Sequence, residues 1–197
     1  MKTTTLTIAI IAASTILAGC ALLQPAPLTP EQNRDAHTTV FRDDFKKITW
    51  IETSKIYFSE FGVNSLSISG HPNVYRLLAT KKDGEKISYA LMFSSDEKMV
   101  FWRSMTDQNG NEFPLKKYNM INNKDDSKQW YTAELSREYV ENIREAGVLI
   151  RKYVEQTQKT GINVKFYGKN RATFPITLSS SIADALLMRV DDVFKDE

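Results

Sequence analysis

Nucleophilic hydrolysis needs a serine or cysteine beside a base, and the chain supplies two histidines and one cysteine for that purpose. His71 sits in "SGHPNV", between glycine and proline, where it reads as a turn residue, and no Gly-x-Ser-x-Gly elbow exists. A zinc centre lacks soft ligands, so any metal would need an all-oxygen site. "DQNGNE" alternates Asp107, Asn109 and Asn111, but the loop positions that need glycine and a bidentate glutamate for calcium hold Glu112 and Tyr118. It reads as a hairpin turn, and no metal or other cofactor is expected. Adjacent carboxylates at Asp43-Asp44, Asp125-Asp126 and Asp191-Asp192 read as solvated charges, because neighbours in sequence do not converge on one substrate. Lysine doublets stand among aromatics: Lys46-Lys47 near Trp50, Lys81-Lys82, and Lys116-Lys117 beside Tyr118. On a common sheet face, Lys81, Lys82, Lys116 and Lys117 would make a patch for an acidic partner; at strand edges they would only guard against unwanted pairing.

The single cysteine, Cys20, has a more specific setting. It ends the apolar run "LTIAIIAASTILAG", Leu6 to Gly19, which follows a short positive start at Lys2. That run has the shape of a secretory leader and is short for a bilayer core of about 30 Å, which takes roughly 20 residues to cross. Leu17-Ala18-Gly19-Cys20 resembles the lipobox of bacterial lipoproteins. The resemblance implies recognition of Leu17, Ala18 and Gly19 by the processing peptidase, cleavage after Gly19, and acylation of the Cys20 thiol. Two or more acyl chains anchor durably where one does not, since each buried methylene contributes about 0.8 kcal/mol. Ala21 takes the place where an aspartate would favour inner-membrane retention, so the resemblance points to the outer membrane of a Gram-negative envelope.

A body must then follow. From Cys20 to about residue 40 the chain carries prolines and polar residues without apolar period, the composition of a tether, and His37 within it is expected to be solvated. Residues 41–197 contain strand signals first: "ITWIETSKIYF", "SLSIS", the pair Val74 to Thr80 and Lys86 to Phe93 around Asp83-Gly84, Met99 to Met105, "FPLKKYNM" and Trp130 to Leu135. After Ser136 the period changes to three and four through Tyr139, Val140, Ile143 and Ala146, predicting a helix capped by Ser136 and stopped by Gly161. "INVKFYG", an edge strand restricted by Pro175, and a last amphipathic helix through Ile182, Leu186, Val190 and Val193 complete the chain. The expected class is α+β: an antiparallel meander with a long helix and a C-terminal amphipathic helix packed on one face. This layout is loosely similar to that of small uncharacterised proteobacterial envelope lipoproteins.

Three segments follow: a signal peptide over 1–19, a tether over 20–40, and one globular domain over 41–197. With 26 basic against 24 acidic residues and a formal charge of +2, nothing advertises a nucleic-acid partner. The expected function is that of a lipid-anchored envelope protein, on the outer membrane and facing the periplasm. It would bind an envelope protein or cell-wall component without catalysis. The alternatives are an envelope hydrolase using dispersed carboxylates, and a surface-displayed immunity or exclusion factor.

Overall fold

Strand-forming sequence dominates the body because apolar, β-branched and aromatic residues alternate with polar ones, and each run ends at a turn that its residues specify. The computed structural model of the protein describes residues 28–58, 64–65, 74–95, 101–118, 129–153, 161–169 and 173–195. The chain opens with helix α1 (Pro30–His37) and strands β1 (Thr38–Asp43), β2 (Ile48–Thr53), β3 (Ile56–Phe58) and β4 (Asn64–Ser65). Then come β5 (Val74–Lys82), β6 (Ser88–Ser95), β7 (Trp102–Asp107), β8 (Glu112–Tyr118) and β9 (Gln129–Leu135). Helix α2 (Arg137–Tyr153), β10 (Gly161–Gly168), β11 (Thr173–Ser179) and helix α3 (Ser180–Val193) follow.

The expected hairpin is present: β5 and β6 pair antiparallel with Leu77 opposite Leu91, joined by a turn in which Gly84 takes φ +75°. Ser136 caps α2 as its sequence position predicts, its hydroxyl accepting from the Tyr139 N–H at 3.0 Å. Pro175 lies in β11, which ends the sheet and pairs only with β10. Gly161, the expected helix stop, is the first residue of β10, and the segment between it and Tyr153 lies outside the described residues. The φ of Gly161 is +146°, and a Cβ there would lie 1.9 Å from the Leu178 carbonyl oxygen across the pair.

The α+β class is corrected. About 54% of the described residues are strand and 28% helix, and the sheet itself is the body of the fold. Its strands run β1-β2-β5-β6-β9-β8-β7-β10-β11, with β3 and β4 as a small appendage, so it is not a simple meander: β9 inserts between β6 and β8. The sheet also curls until its inner face meets itself. Phe93 of β6 stacks on Phe166 of β10, centroids 4.0 Å apart, and Trp102 meets Phe93 edge-on at 5.6 Å. Tyr75 of β5 reaches β11, donating to the Thr177 carbonyl at 3.2 Å and accepting from the Ser179 N–H at 3.0 Å. Because the curled sheet supplies much of its own packing partner, the helices do not form a second layer. Helix α3 packs on α2 and against β1, β2 and β5, with Ala183, Leu186, Leu187 and Val190 buried, while α2 also lies on β10, β11 and β6.

Residues 30–40 also depart from the expected tether. Thr29 and Gln32 form a reciprocal capping box, and Pro30 starts α1 where its missing N–H costs nothing. The helix is tied to α3: the Asn33 side chain donates to the Ser181 carbonyl, Arg34 meets Asp192, and Arg189 bridges to Asp35 and Thr38. The body therefore begins near Thr29, and the capping box was the sequence signal for it.

Candidate functional site

Alternation sends every second residue of the central strands away from the core. In β5, Tyr75, Leu77 and Ala79 face inward, while Arg76, Leu78 and Thr80 face the opposite side, which carries no helix among the described residues. Neighbouring strands add Ile48, Trp50 and Glu52 from β2, Ala90 and Met92 from β6, and Thr132 from β9. Together they line a half-open trough of about 380 Å³, bounded by Asp43, Lys46 and Tyr118. Its floor is mainly hydrocarbon.

One array of polar side chains crosses that floor. The Trp50 indole N–H donates to Glu52 at 3.2 Å, and Glu52 also accepts from Nη1 of Arg76. Arg76 is only 6% exposed, and its guanidinium lies over the Trp130 ring, 5.4 Å from the centroid. Lys55 Nζ stands 5.8 Å from the same ring. Phe41 stacks on Trp50 at 5.2 Å and extends the aromatic wall. Val74, Met92 and Trp130 form a second small apolar cluster here, separate from the main core.

Two carboxylates share the trough, which is what glycoside hydrolysis would require of it. Both are already engaged. Glu52 accepts from Trp50 and Arg76, and Asp43 caps the β1–β2 turn, accepting from the Phe45 and Lys46 backbone N–H groups.

The lysine doublets do not compose one surface. Successive strand residues point to opposite faces, so Lys81 and Lys82 diverge, as do Lys116 and Lys117. Lys116 aligns across the sheet with Thr132, Met92 and Arg76, five residues along β5 from Lys81 and three strands away. Lys82 and Lys116 are also committed locally. Lys82 Nζ donates to Glu85 at 2.9 Å, and the hydrogen bond from Lys116 holds the Glu134 carboxyl below the usual carboxylate range. Lys81 Nζ lies 5.4 Å from the Phe194 ring centroid.

"DQNGNE" is the β7–β8 turn. Asp107 accepts from the backbone N–H groups of Asn109 and Asn111 and from the Asn111 side chain, each at 2.9 Å. Its burial would raise the carboxyl's pKa, but these hydrogen bonds outweigh burial and hold it below the usual value. Asp191 and Asp192 pair with Arg137 and with Arg34 and Arg189 on the helical side. Leu17, Ala18, Gly19, Cys20, His71, Asp125 and Asp126 lie outside the described residues. Among the described residues, no group of three His, Cys, Asp or Glu side chains could hold a metal ion, and no helix is long and apolar enough to cross a membrane.

Sequence reasoning passed over Glu52, Arg76, Ser94 and Trp130. A signal existed in "VYRLLA": an arginine within an apolar strand has to be buried beside an acid or to face a site. Compared with protein-family models, with curated proteins and with solved structures, the chain finds no match.

Proposed function

We propose that the protein is a lipid-anchored cell-envelope protein whose body is a non-enzymatic binding domain facing the periplasm. Its working surface is the trough, on the side of the sheet that carries no helix among the described residues. The observation that carries this reading is the trough: a concave, mainly apolar floor of ligand-binding size, crossed by a fixed Trp50-Glu52-Arg76 array. Anchoring is supported by the order Leu17-Ala18-Gly19-Cys20 at the end of the leader. With α1 folded into the body, about nine residues separate Cys20 from the capping box, and a chain of that length spans at most about 30 Å at about 3.3 Å per residue. The domain would therefore work close to the membrane surface.

The test is intact-mass spectrometry with membrane fractionation of the wild-type protein and Cys20→Ala, expressed in a Gram-negative host. The expected wild-type product lacks residues 1–19, is heavier by acyl chains and sediments with outer membrane, while Cys20→Ala gains no acyl mass. An unlipidated, freely diffusing wild-type product would sink the anchored reading.

A further inference from the structure

We propose that the outward side of β7, β10 and β11 lies on a bilayer surface bearing anionic phospholipid headgroups. The inference adds an orientation to the anchored reading, and its test does not require the anchor.

Alternation and one irregularity build this face. In β10, Ile162, Val164 and Phe166 are buried, while Asn163, Lys165 and Tyr167 are exposed, with exposed Pro175 and Thr173 of β11 opposite the last two. In β7 the register shifts: Trp102 pairs with Gly168 and Ser104 with Tyr167, which leaves Arg103 as an extra residue in a bulge. Trp102 and Met105 are both buried in the core, and Arg103 between them is exposed. The bulge thus turns Arg103 outward, to the side of Lys165 and Tyr167. Beyond β10, the Lys169 backbone N–H donates to the Phe101 carbonyl at 3.0 Å, and its Nζ stands 5.0 Å from the Phe101 ring centroid. Lys165 Nζ stands 5.7 Å from the Tyr167 ring centroid. Three cations and two exposed aromatic rings therefore meet, Phe101 being 48% and Tyr167 38% exposed.

The cations are uncompensated. Lys46, Lys47, Lys82 and Lys116 each meet a carboxylate, whereas Arg103, Lys165 and Lys169 form no ion pair among the described residues. Register puts one exposed acid on this side, Glu112, opposite Thr106 and so two strands, about 10 Å, from Lys165. Asp107 is buried, its carboxylate held by the turn. The flanking stretches 96–100 and 170–172 carry Asp96, Glu97, Lys98 and Arg171, whose charges cancel.

Cations beside exposed rings suit the headgroup boundary, where the rings sit at the interface and the cations meet phosphates. The face is also within reach of the membrane end of the chain. Asn33 donates to the Ser181 carbonyl, so α1 starts beside the junction of β11 and α3, and β11 spans about 20 Å from there to Thr173, opposite Tyr167. The linker's reach of about 30 Å covers that distance. Orientation follows from the core. Phe93 of β6 stacks on Phe166 of β10 across the interior, so the outward sides of these strands lie on opposite sides of the molecule, and Ala90 and Met92 of β6 line the trough. Seating β10 on the bilayer turns the trough away from it.

The experiment is amine acetylation of the full chain, reconstituted with vesicles of phosphatidylcholine alone or of equal parts phosphatidylcholine and phosphatidylglycerol, with the rate at each lysine read by peptide mass spectrometry. Lys165 and Lys169 should react roughly threefold more slowly, or slower still, on the anionic vesicles, while Lys46 at the trough keeps its rate. High salt should remove the difference. Arg103→Glu combined with Lys165→Glu, two exposed changes that break no ion pair, should remove the protection of Lys169. If that variant misfolds, the lipid and salt comparison on the wild-type protein decides alone. Equal rates at Lys165 and Lys169 on both vesicles, or a slowing at Lys46 as large as theirs, overturns the seating. Soluble polyglutamate is the competing probe: protection of the two lysines by it, with none from the anionic vesicles, assigns the face to an acidic polypeptide and overturns the bilayer. A protein found without acyl chains yet protected at these lysines keeps this inference and loses the anchored reading, so the two fail separately.

Discussion

Tyr75 and Arg76 are neighbours in one strand, equally buried in practice, and opposite in how the fold treats them. Tyr75 faces the closed interior, where its hydroxyl both donates to Thr177 and accepts from Ser179. Full burial pushes its ionisation far above the ordinary tyrosine range, against the hydrogen bond from the Ser179 N–H, which pulls it down. Arg76 lines the trough, with Nη1 paired to Glu52 and Nε buried without a hydrogen-bond partner. The inner face carries the main core and the outer face a small second cluster, and each keeps buried polar atoms without partners, Tyr89, Trp102 and Tyr139 within the first and Arg76 and Trp130 on the second. Most of the buried apolar surface belongs to the first face.

The largest expected effect breaks the inner face. Phe166→Ala removes the ring that stacks on Phe93 and meets Trp102, in a place where the curled sheet cannot collapse without moving two strands. Urea denaturation should show a loss of about 3–5 kcal/mol, a large share of the stability of an ordinary domain. A loss well under 1 kcal/mol would mean that the inner face is not the main core.

An intermediate effect belongs to the trough. Arg76→Met strands the Glu52 carboxylate and should cost about 1–3 kcal/mol, less than a fully buried ion because Glu52 keeps some water contact. Glu52→Leu combined with Arg76→Met should recover most of that loss, since neither charge then needs a partner. If the double variant stays as unstable as the single one, the pair is structural glue and the contrast between faces weakens.

The smallest effect lies outside both faces, in the β7–β8 turn. Asp107 is held below its usual pKa, so its contribution is present above the unfolded value near 3.9 and is lost as pH falls through the lower folded value. Asp107→Asn should cost about 1 kcal/mol at neutral pH and flatten the acid limb of stability below about pH 4, read by thermal melting across pH. A variant with an unchanged acid limb would remove Asp107 from the account.

Local features were legible because their causes are local. The Asp83-Gly84 hairpin, the Ser136 cap and the edge position implied by Pro175 each depend on a few adjacent residues and are found as expected. The capping box at Thr29 was equally local, yet the prolines around it suggested a linker, and α1 was missed. The fold class was misjudged for a different reason. Periodicity identifies helices and strands but carries no information on how far a sheet curls, and curl decided that Phe93 meets Phe166 instead of a helix.

The site was less legible still, since Glu52 and Arg76 are 24 residues apart and Trp130 is farther along the chain. Their meeting depends on β9 pairing with β6, a long-range choice among strands of similar composition. The sequence alone determined the turns, the caps and which residues of each strand share a face, because covalent order and backbone geometry set these. Only the tertiary structure decided strand order, closure of the sheet on itself and the half-satisfied Arg76, because those come from packing between segments distant in sequence.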